Sequence, residues 1–260
     1  MTRPLAIDLF CGLGGWTDGL LTEGYDVVGF DIENHVYGEH RYPAQLVIQD
    51  VTTLHGSQFR NAALIVASPP CQEYSYMAMP WSRAKAKAAA IRADKTGTEL
   101  ERLNRLFNAC FRIQREACIA SGRHIPLVVE NVRGAIPWVG RSRWNFGSFH
   151  LWGDVPALMP ATLKAQKVPG FRFDGSGRSF QTASVEGIKG VPHRTKGHWT
   201  NPAEHEGVKI GGDWFGDPQS LSRYGSKSNS RKAASAMIAK IPLPLSRHIA
   251  AVYHPMRAAA

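Results

Sequence analysis

The chain has 260 residues, 43% of them hydrophobic, and carries a formal net charge of +10 with a pI near 9.7. That composition excludes a disordered chain, and no apolar run approaches the ~20 residues that a membrane helix needs. The basic excess suggests a polyanionic partner such as nucleic acid rather than a membrane.

The length suits one large domain, or one domain with a smaller insert. The first residues, MTRPLAIDLF, contain no long apolar signal core, so an intracellular setting is expected. Cys11, Cys71, Cys110 and Cys118 show no C-x-x-C spacing, so reduced thiols are expected rather than a disulfide framework.

The first strand-like run, PLAIDLF, breaks into the turn CGLGG and then a helical stretch. Gly12, Gly14 and Gly15 tolerate positive φ and let backbone approach a ligand, although a tight turn alone would also use them. The pattern G-x-G-G is a poor match to a dinucleotide fingerprint. The second run, YDVVGFD, ends in Asp31, and the third, AQLVIQD, ends in Asp50. Acids at strand ends can accept hydrogen bonds from ribose hydroxyls or an exocyclic amine, or can be ordinary polar strand ends.

The fourth run, AALIVAS, stops at Pro69 and Pro70, and Cys71 follows at once. The prolines make a stiff platform without N–H donors. Cys71 is either a buried inert thiol or a nucleophile at the open end of the sheet. The stretch MAMPWSRAKAKAAAIRADKTG is rich in alanine and carries Arg83, Lys85, Lys87, Arg92 and Lys95. It is expected as a basic helical lid, or simply as a solvated helix face. Residues 98 to 120 then repeat apolar positions Leu103, Leu106, Phe107, Cys110 and Phe111 at helical steps.

The fifth run, IPLVVEN, ends in Glu130 and Asn131. Carboxylates are depleted inside strands, so a glutamate here suggests use. Five nearly unbroken apolar runs alternating with helical segments argue for an α/β fold: a doubly wound, mostly parallel sheet whose strands are covered on both faces. In such a sheet Cys71 and Glu130 share one edge, where a thiolate and an acid suit addition to a ring with protonation of a ring nitrogen.

From about residue 150 the chain turns rich in Gly, Pro, Ser and basic residues, and a small irregular lobe is expected over 151–229. The sheet domain is expected over 1–150 and 230–260, closed by the helix LSRHIAAVY after Pro242 and Pro244. His193, His198 and His205 are loosely spaced and lack a nearby cysteine, so no metal site is expected.

The ordered set DLFCGLGGW, GFDIE, QDV, SPPCQEYS and ENV resembles the cytosine carbon-5 DNA methyltransferases over residues 5 to 133, in a compact, phage-type form. The resemblance implies a fold of the S-adenosylmethionine methyltransferase type, with the small lobe standing for target recognition. It implies S-adenosyl-L-methionine as methyl donor, held by Phe10, Gly12, Gly14, Gly15, Trp16, Asp31, Ile32, Asp50, Val51 and Pro70. It implies Cys71 as the nucleophile and Glu130 as the group holding the cytosine ring nitrogen.

The implied partner is duplex DNA with the target cytosine flipped out, handled by a monomer in the cytoplasm of a bacterial or phage-infected cell. The family's Q-x-R-x-R element has no match. Arg141 and Arg143 lie closer to ENV than expected, and Arg143 is favoured to bind the cytosine carbonyl. Ala239 and Lys240, in a weak echo of the closing element, are expected near the cofactor. The same chemistry on RNA or a cytosine nucleotide, and a catalytically silent nucleic-acid-binding relative, stand as the alternatives.

Overall fold

The computed structural model describes residues 2–75, 81–146, 149–159 and 239–256, together with Lys232 and Ala236. The chain divides into two units, Met1–Pro160 with Lys240–Ala260, and Ala161–Ala239. The first holds the sheet. The expected lobe, apart from Leu151–Met159, lies outside the described residues, and so do the histidines His193, His198 and His205.

All five apolar runs form strands: β1 (Leu5–Leu9), β2 (Asp26–Asp31), β3 (Gln45–Ile48), β4 (Leu64–Ala67) and β5 (Leu127–Asn131). Two further strands, β6 (Trp144–Phe146) and β7 (Phe149–Gly153), complete a seven-stranded sheet of order β3-β2-β1-β4-β5-β7-β6. Strands β1 to β5 pair in parallel, whereas β7 runs antiparallel to both neighbours. The helices are α1 (Gly15–Thr22), α2 (Trp81–Ala93), α3 (Thr98–Ser121), α4 (Ile136–Val139) and α5 (Leu243–Val252).

Strand alternation sends residues to two cores. Ala6, Val27, Leu64, Val66, Val128 and Leu151 pack under α1 and α5, against Trp16, Leu20, Leu245 and Ile249. Ile7, Leu9, Phe30, Ile65, Leu127 and Val129 pack under α3, against Phe107, Cys110 and Ile113. One expectation changes: β3 is an edge strand, and its Ile48 is 53% exposed, so that run is not covered on both sides. Its apolar character reflects strand propensity more than burial.

Gly19 shows how closely α1 and α5 cross. A Cβ built on it would lie 2.4 Å from the Ser246 carbonyl carbon and 2.5 Å from the Arg247 nitrogen. The chain leaves β1 toward β2 and β3 on one side and returns to β4 and β5 on the other. The strand order therefore reverses between β1 and β4, and the crevice at their carboxyl ends is where open α/β sheets take ligands.

Candidate active site

The loop after β1 bends sharply: Phe10, Gly12 and Gly14 have φ of 57°, 50° and 75°. Two of its glycines answer to packing. A Cβ on Gly14 would lie 2.5 Å from Pro43 Cδ, and one on Gly15 would lie 2.3 Å from the Ile241 nitrogen. Gly12 differs, since a Cβ there would meet nothing within 4 Å. Gly12 therefore marks the open side of the loop, with room for a ligand against the backbone. Lys240 reaches the same region, pairing with Asp18 at 2.7 Å.

Asp31 ends β2 and is only 8% exposed. Its Oδ2 accepts the Gly12 N–H at 2.9 Å, and its Oδ1 accepts the Ile32 N–H at 2.8 Å. His35 Nε2 lies 3.6 Å from Oδ1. Burial pushes the carboxyl up, but the hydrogen bonds from His35, Gly12 and Ile32 outweigh it and hold Asp31 below the ordinary carboxylate range. A carboxylate offers about four lone-pair sites, so this one still has capacity for a ribose hydroxyl. Ile32, 70% exposed, stands beside it as an apolar platform.

Asp50 follows β3, and its Oδ1 accepts both the N–H and the hydroxyl of Thr52 at 2.8 Å. Val51 is buried at 2% exposure in the α3-side core, so only its backbone faces the edge. Trp16 is likewise buried, and its Nε1 donates to Ser68 Oγ at 3.0 Å, tying α1 to the turn after β4. Phe10 is half-buried against the α3-side core, and Pro70 is exposed. Gly12, with open space at its Cα, and the exposed Ile32 thus flank the buried Asp31 carboxylate, whereas Trp16 and Val51 support the loops from behind.

Behind the glycine loop lies a group that the sequence did not single out. Asp8 is fully buried, and its Oδ2 accepts from Thr17 Oγ1 at 2.7 Å, which in turn shares a 2.7 Å bond with the Tyr42 hydroxyl. Burial pushes the Asp8 carboxyl well above its ordinary value, and the bond from Thr17 only partly offsets this. This chain pins β1, α1 and the β2–β3 connection together under the loop.

The turn after β4 carries Cys71. Ser68 N–H bonds Leu9 O at 3.1 Å, and the Tyr74 and Ser75 amides bond Cys71 O at 3.0 and 2.8 Å. Cys11 and Cys110 are buried, and burial drives both thiols up. Cys118 is half-buried and engaged by the Ile125 amide at 3.2 Å. Cys71 is half-exposed, in contrast to Cys11 and Cys110.

Glu130 lies on β5, 5% exposed, one residue beyond the Ala67–Val129 pair. Asn131, next to it, donates from Nδ2 to Pro69 O at 2.9 Å in a buried bond. The Cys71 turn is therefore fastened to the strand that bears Glu130, at one edge of the sheet. By alternation Glu130 shares the face of Val128 and Leu151.

Arg143 is not brought to this pair. It is exposed, donates its main-chain N–H to Leu151 O at 2.8 Å, and lines an open cleft of about 610 Å³ with Arg141, Phe107, Phe111 and Trp152. Phe107 and Trp152 belong to the α3 side, the opposite face from Val128. The basic segment after Cys71 does form a helix, α2. Its Lys87 pairs with the Glu73 carboxylate, and its Arg92 lies 5.5 Å above the Trp138 ring. Arg83, Lys85 and Lys95 are exposed. Among the described residues no group of three or more His, Cys, Asp or Glu is arranged to hold a metal.

Compared with known proteins, residues 5–135 match the model of a family described as C-5 cytosine-specific DNA methylase. Three similar solved structures are a DNA modification methyltransferase encoded within a prophage of E. coli, the S. pombe Dnmt2 methyltransferase and the Entamoeba histolytica methyltransferase EhMeth. The first is 24% identical over 52% of this chain and 33% of its own, with a TM-score of 0.33. The second is 16% identical over 53% and 37%, with a TM-score of 0.32. The third is 18% identical over 54% and 41%, with a TM-score of 0.31. The matched part thus spans 33% of the first of these proteins. No curated protein sequence matches the chain.

Proposed function

The chain belongs to the C-5 cytosine-specific DNA methylase family, and we propose that it transfers a methyl group from S-adenosylmethionine to carbon-5 of cytosine in DNA through a covalent adduct on Cys71. Carbon-5 is too weak a nucleophile to take the methyl group unaided. The Cys71 thiolate adds to carbon-6, and Glu130 holds a proton at ring nitrogen 3, offsetting the charge that builds on the ring. Carbon-5 then becomes enamine-like. S-adenosylmethionine, when bound, supplies an electrophilic methyl group on its sulfonium centre. Loss of the carbon-5 proton and departure of the thiolate restore the ring and Cys71.

The observation that carries this proposal is the buried Asn131–Pro69 bond, which fastens the thiol-bearing turn to the carboxyl-bearing strand. For the cofactor, the fitting residues are Gly12, with open space where a Cβ would stand, Asp31 with acceptor capacity, and the exposed Ile32. Asp50 and the backbone of Val51 would border the adenine. Base stacking in a duplex blocks access to carbon-6, so a duplex target flips out at a cost of a few, roughly 2–4, kcal/mol. Basic residues of α2 and of the 151–229 lobe would offset part of that by binding phosphates.

The test is incubation of the protein with labelled S-adenosylmethionine and, separately, duplex DNA, tRNA and dCMP, followed by digestion and identification of the modified base. Label in 5-methylcytosine from DNA is expected. Label from tRNA or dCMP alone would move the substrate, and no label anywhere would favour a silent binding relative. On DNA containing 5-fluorocytosine a covalent adduct should accumulate, and Cys71→Ser should abolish it.

A further inference from the structure

We propose that Asn104, with Tyr74 as its partner, is a positioning residue that holds Cys71 in register with Glu130; this rests on the methyl-transfer reading of that pair. Tyr74 stands in the SPPCQEYS motif, whereas Asn104 belongs to none of the motifs of the resemblance. Tyr74 follows the nucleophile turn and is 3% exposed, and Asn104 lies on α3 and is 6% exposed. The Tyr74 hydroxyl bonds Asn104 Oδ1 at 2.9 Å, and Asn104 Nδ2 bonds Trp138 O at 2.9 Å.

The donor count fixes the arrangement. A main-chain carbonyl only accepts, so the Asn104 amide nitrogen faces Trp138 and its oxygen faces Tyr74, whose hydroxyl must donate. That hydroxyl also lies 3.3 Å from Leu103 O. Burial pushes the phenol up, which keeps the donating proton in place.

The Cys71 turn is thereby held on both sides. Upstream, Pro69 O is held by Asn131. Downstream, Tyr74 is held through Asn104 to Trp138, at the end of the segment that follows Glu130. The Tyr74 amide in turn bonds Cys71 O, so a shift of the tyrosine passes directly to the cysteine backbone. Helix α2 covers this node: Ala84, Ala88 and Ile91 line a narrow cleft with Tyr74 and Leu103, and Lys87 pairs with Glu73. A buried amide costs free energy unless every bond is made, and an isosteric leucine would fill the same space without that cost. The role of an asparagine at this point is therefore direction rather than bulk.

The variants are Tyr74→Phe, which removes one oxygen and keeps the ring, and Asn104→Leu, which keeps the volume. Two readouts are needed. Hydrogen exchange at the Tyr74 and Ser75 amides reports the turn without any activity, and should speed up about tenfold in both variants. Adduct formation on 5-fluorocytosine DNA should slow by roughly tenfold to a hundredfold, as expected for a small misplacement of a reacting group. Affinity for S-adenosylmethionine should stay within about twofold, because its fitting residues lie on the β1–β3 loops.

Faster exchange with an unchanged adduct rate would reduce Asn104 to a structural residue and overturn the proposal. Unchanged exchange in both variants would do the same. A wild-type protein that modifies no cytosine substrate would remove the methyl-transfer reading instead, and the exchange result would still decide whether this clamp holds the turn. Tyr74→Phe is mild enough to carry the test should Asn104→Leu fail to fold.

Discussion

Gly19→Ala sets two magnitudes against each other. In a helix interior, alanine is favoured over glycine by ~1 kcal/mol, so propensity alone predicts a more stable protein. The crossing with α5 predicts the reverse. The new Cβ would lie 2.4 Å from the Ser246 carbonyl carbon and Oγ and 2.5 Å from the Arg247 nitrogen, against an ordinary carbon–carbon separation of ~3.5–4.0 Å. Two of these atoms are backbone, so no rotamer change relieves the overlap and α5 must retreat by about 1 Å. Retreat loosens Leu245 and Ile249, both at 0% exposure, from their seats against Leu20 and Trp16. Overpacking of this kind costs ~1–3 kcal/mol, and a backbone clash belongs at the upper end. A net loss of about 2 kcal/mol is expected, or roughly 4–8 °C in Tm for a chain of this size. Urea denaturation followed by circular dichroism measures it. Ser246→Ala in the same protein should not restore the midpoint, because the backbone atoms remain. A Gly19→Ala midpoint above wild type would refute the close crossing.

Opposite pH dependences are expected of the two acids beneath the glycine loop. Asp31 is held below its unfolded value of about 3.9, so its contribution is complete above that pH and is lost as pH falls through the folded value. Asp31→Asn should flatten the acid limb of urea midpoint against pH, and should weaken S-adenosylmethionine binding by at least about tenfold, as the loss of a charged hydrogen bond does. Asp8 is held above its unfolded value, so its contribution is complete below about pH 3.9 and declines as pH rises toward the folded value. Asp8→Asn, which cannot ionise, should remove that decline above about pH 3.9; a parallel pair of curves would show that Asp8 ionises normally. For α2, changing the exposed Arg83, Lys85 and Lys95 together to alanine should reduce the slope of log affinity against log salt by up to about 0.9 for each phosphate that is no longer neutralised. An unchanged slope would leave α2 as a solvated helix.

Much of the fold was legible because strand length and helix period are local properties. The run LVVEN could be read as a buried strand from its own residues, and Thr98–Ser121 as a helix from the steps between Leu103, Phe107 and Cys110. The hairpin of β6 and β7 was hidden. Its residues WNF and FHLWG mix aromatics with a glycine and a histidine, and their strand character comes from pairing with β5. In the site, Cys71 and Glu130 stood out because each breaks the chemistry of the apolar run before it. Asn104 did not, because a polar residue inside an amphipathic helix usually faces water, and its partners lie 30 and 34 residues away. The orientation of Arg143 depends on which face of β6 it flanks, a matter of register that spacing does not encode.

The packing of α5 on α1 has a consequence for how the protein is made. Tyr25 bonds Ala250 O across 225 residues, and Ile241 backs the glycine loop directly. At ~5–20 residues per second, synthesis brings this last helix to the first one on the order of 10–45 s after it. Until α5 is made, Ala6, Leu64, Val66 and Val128 have Trp16 and Leu20 of α1 above them but lack Leu245 and Ile249. A ribosome stalled short of residue 240 would hold a chain that has Cys71 and Glu130 but lacks Ile241 behind the glycine loop.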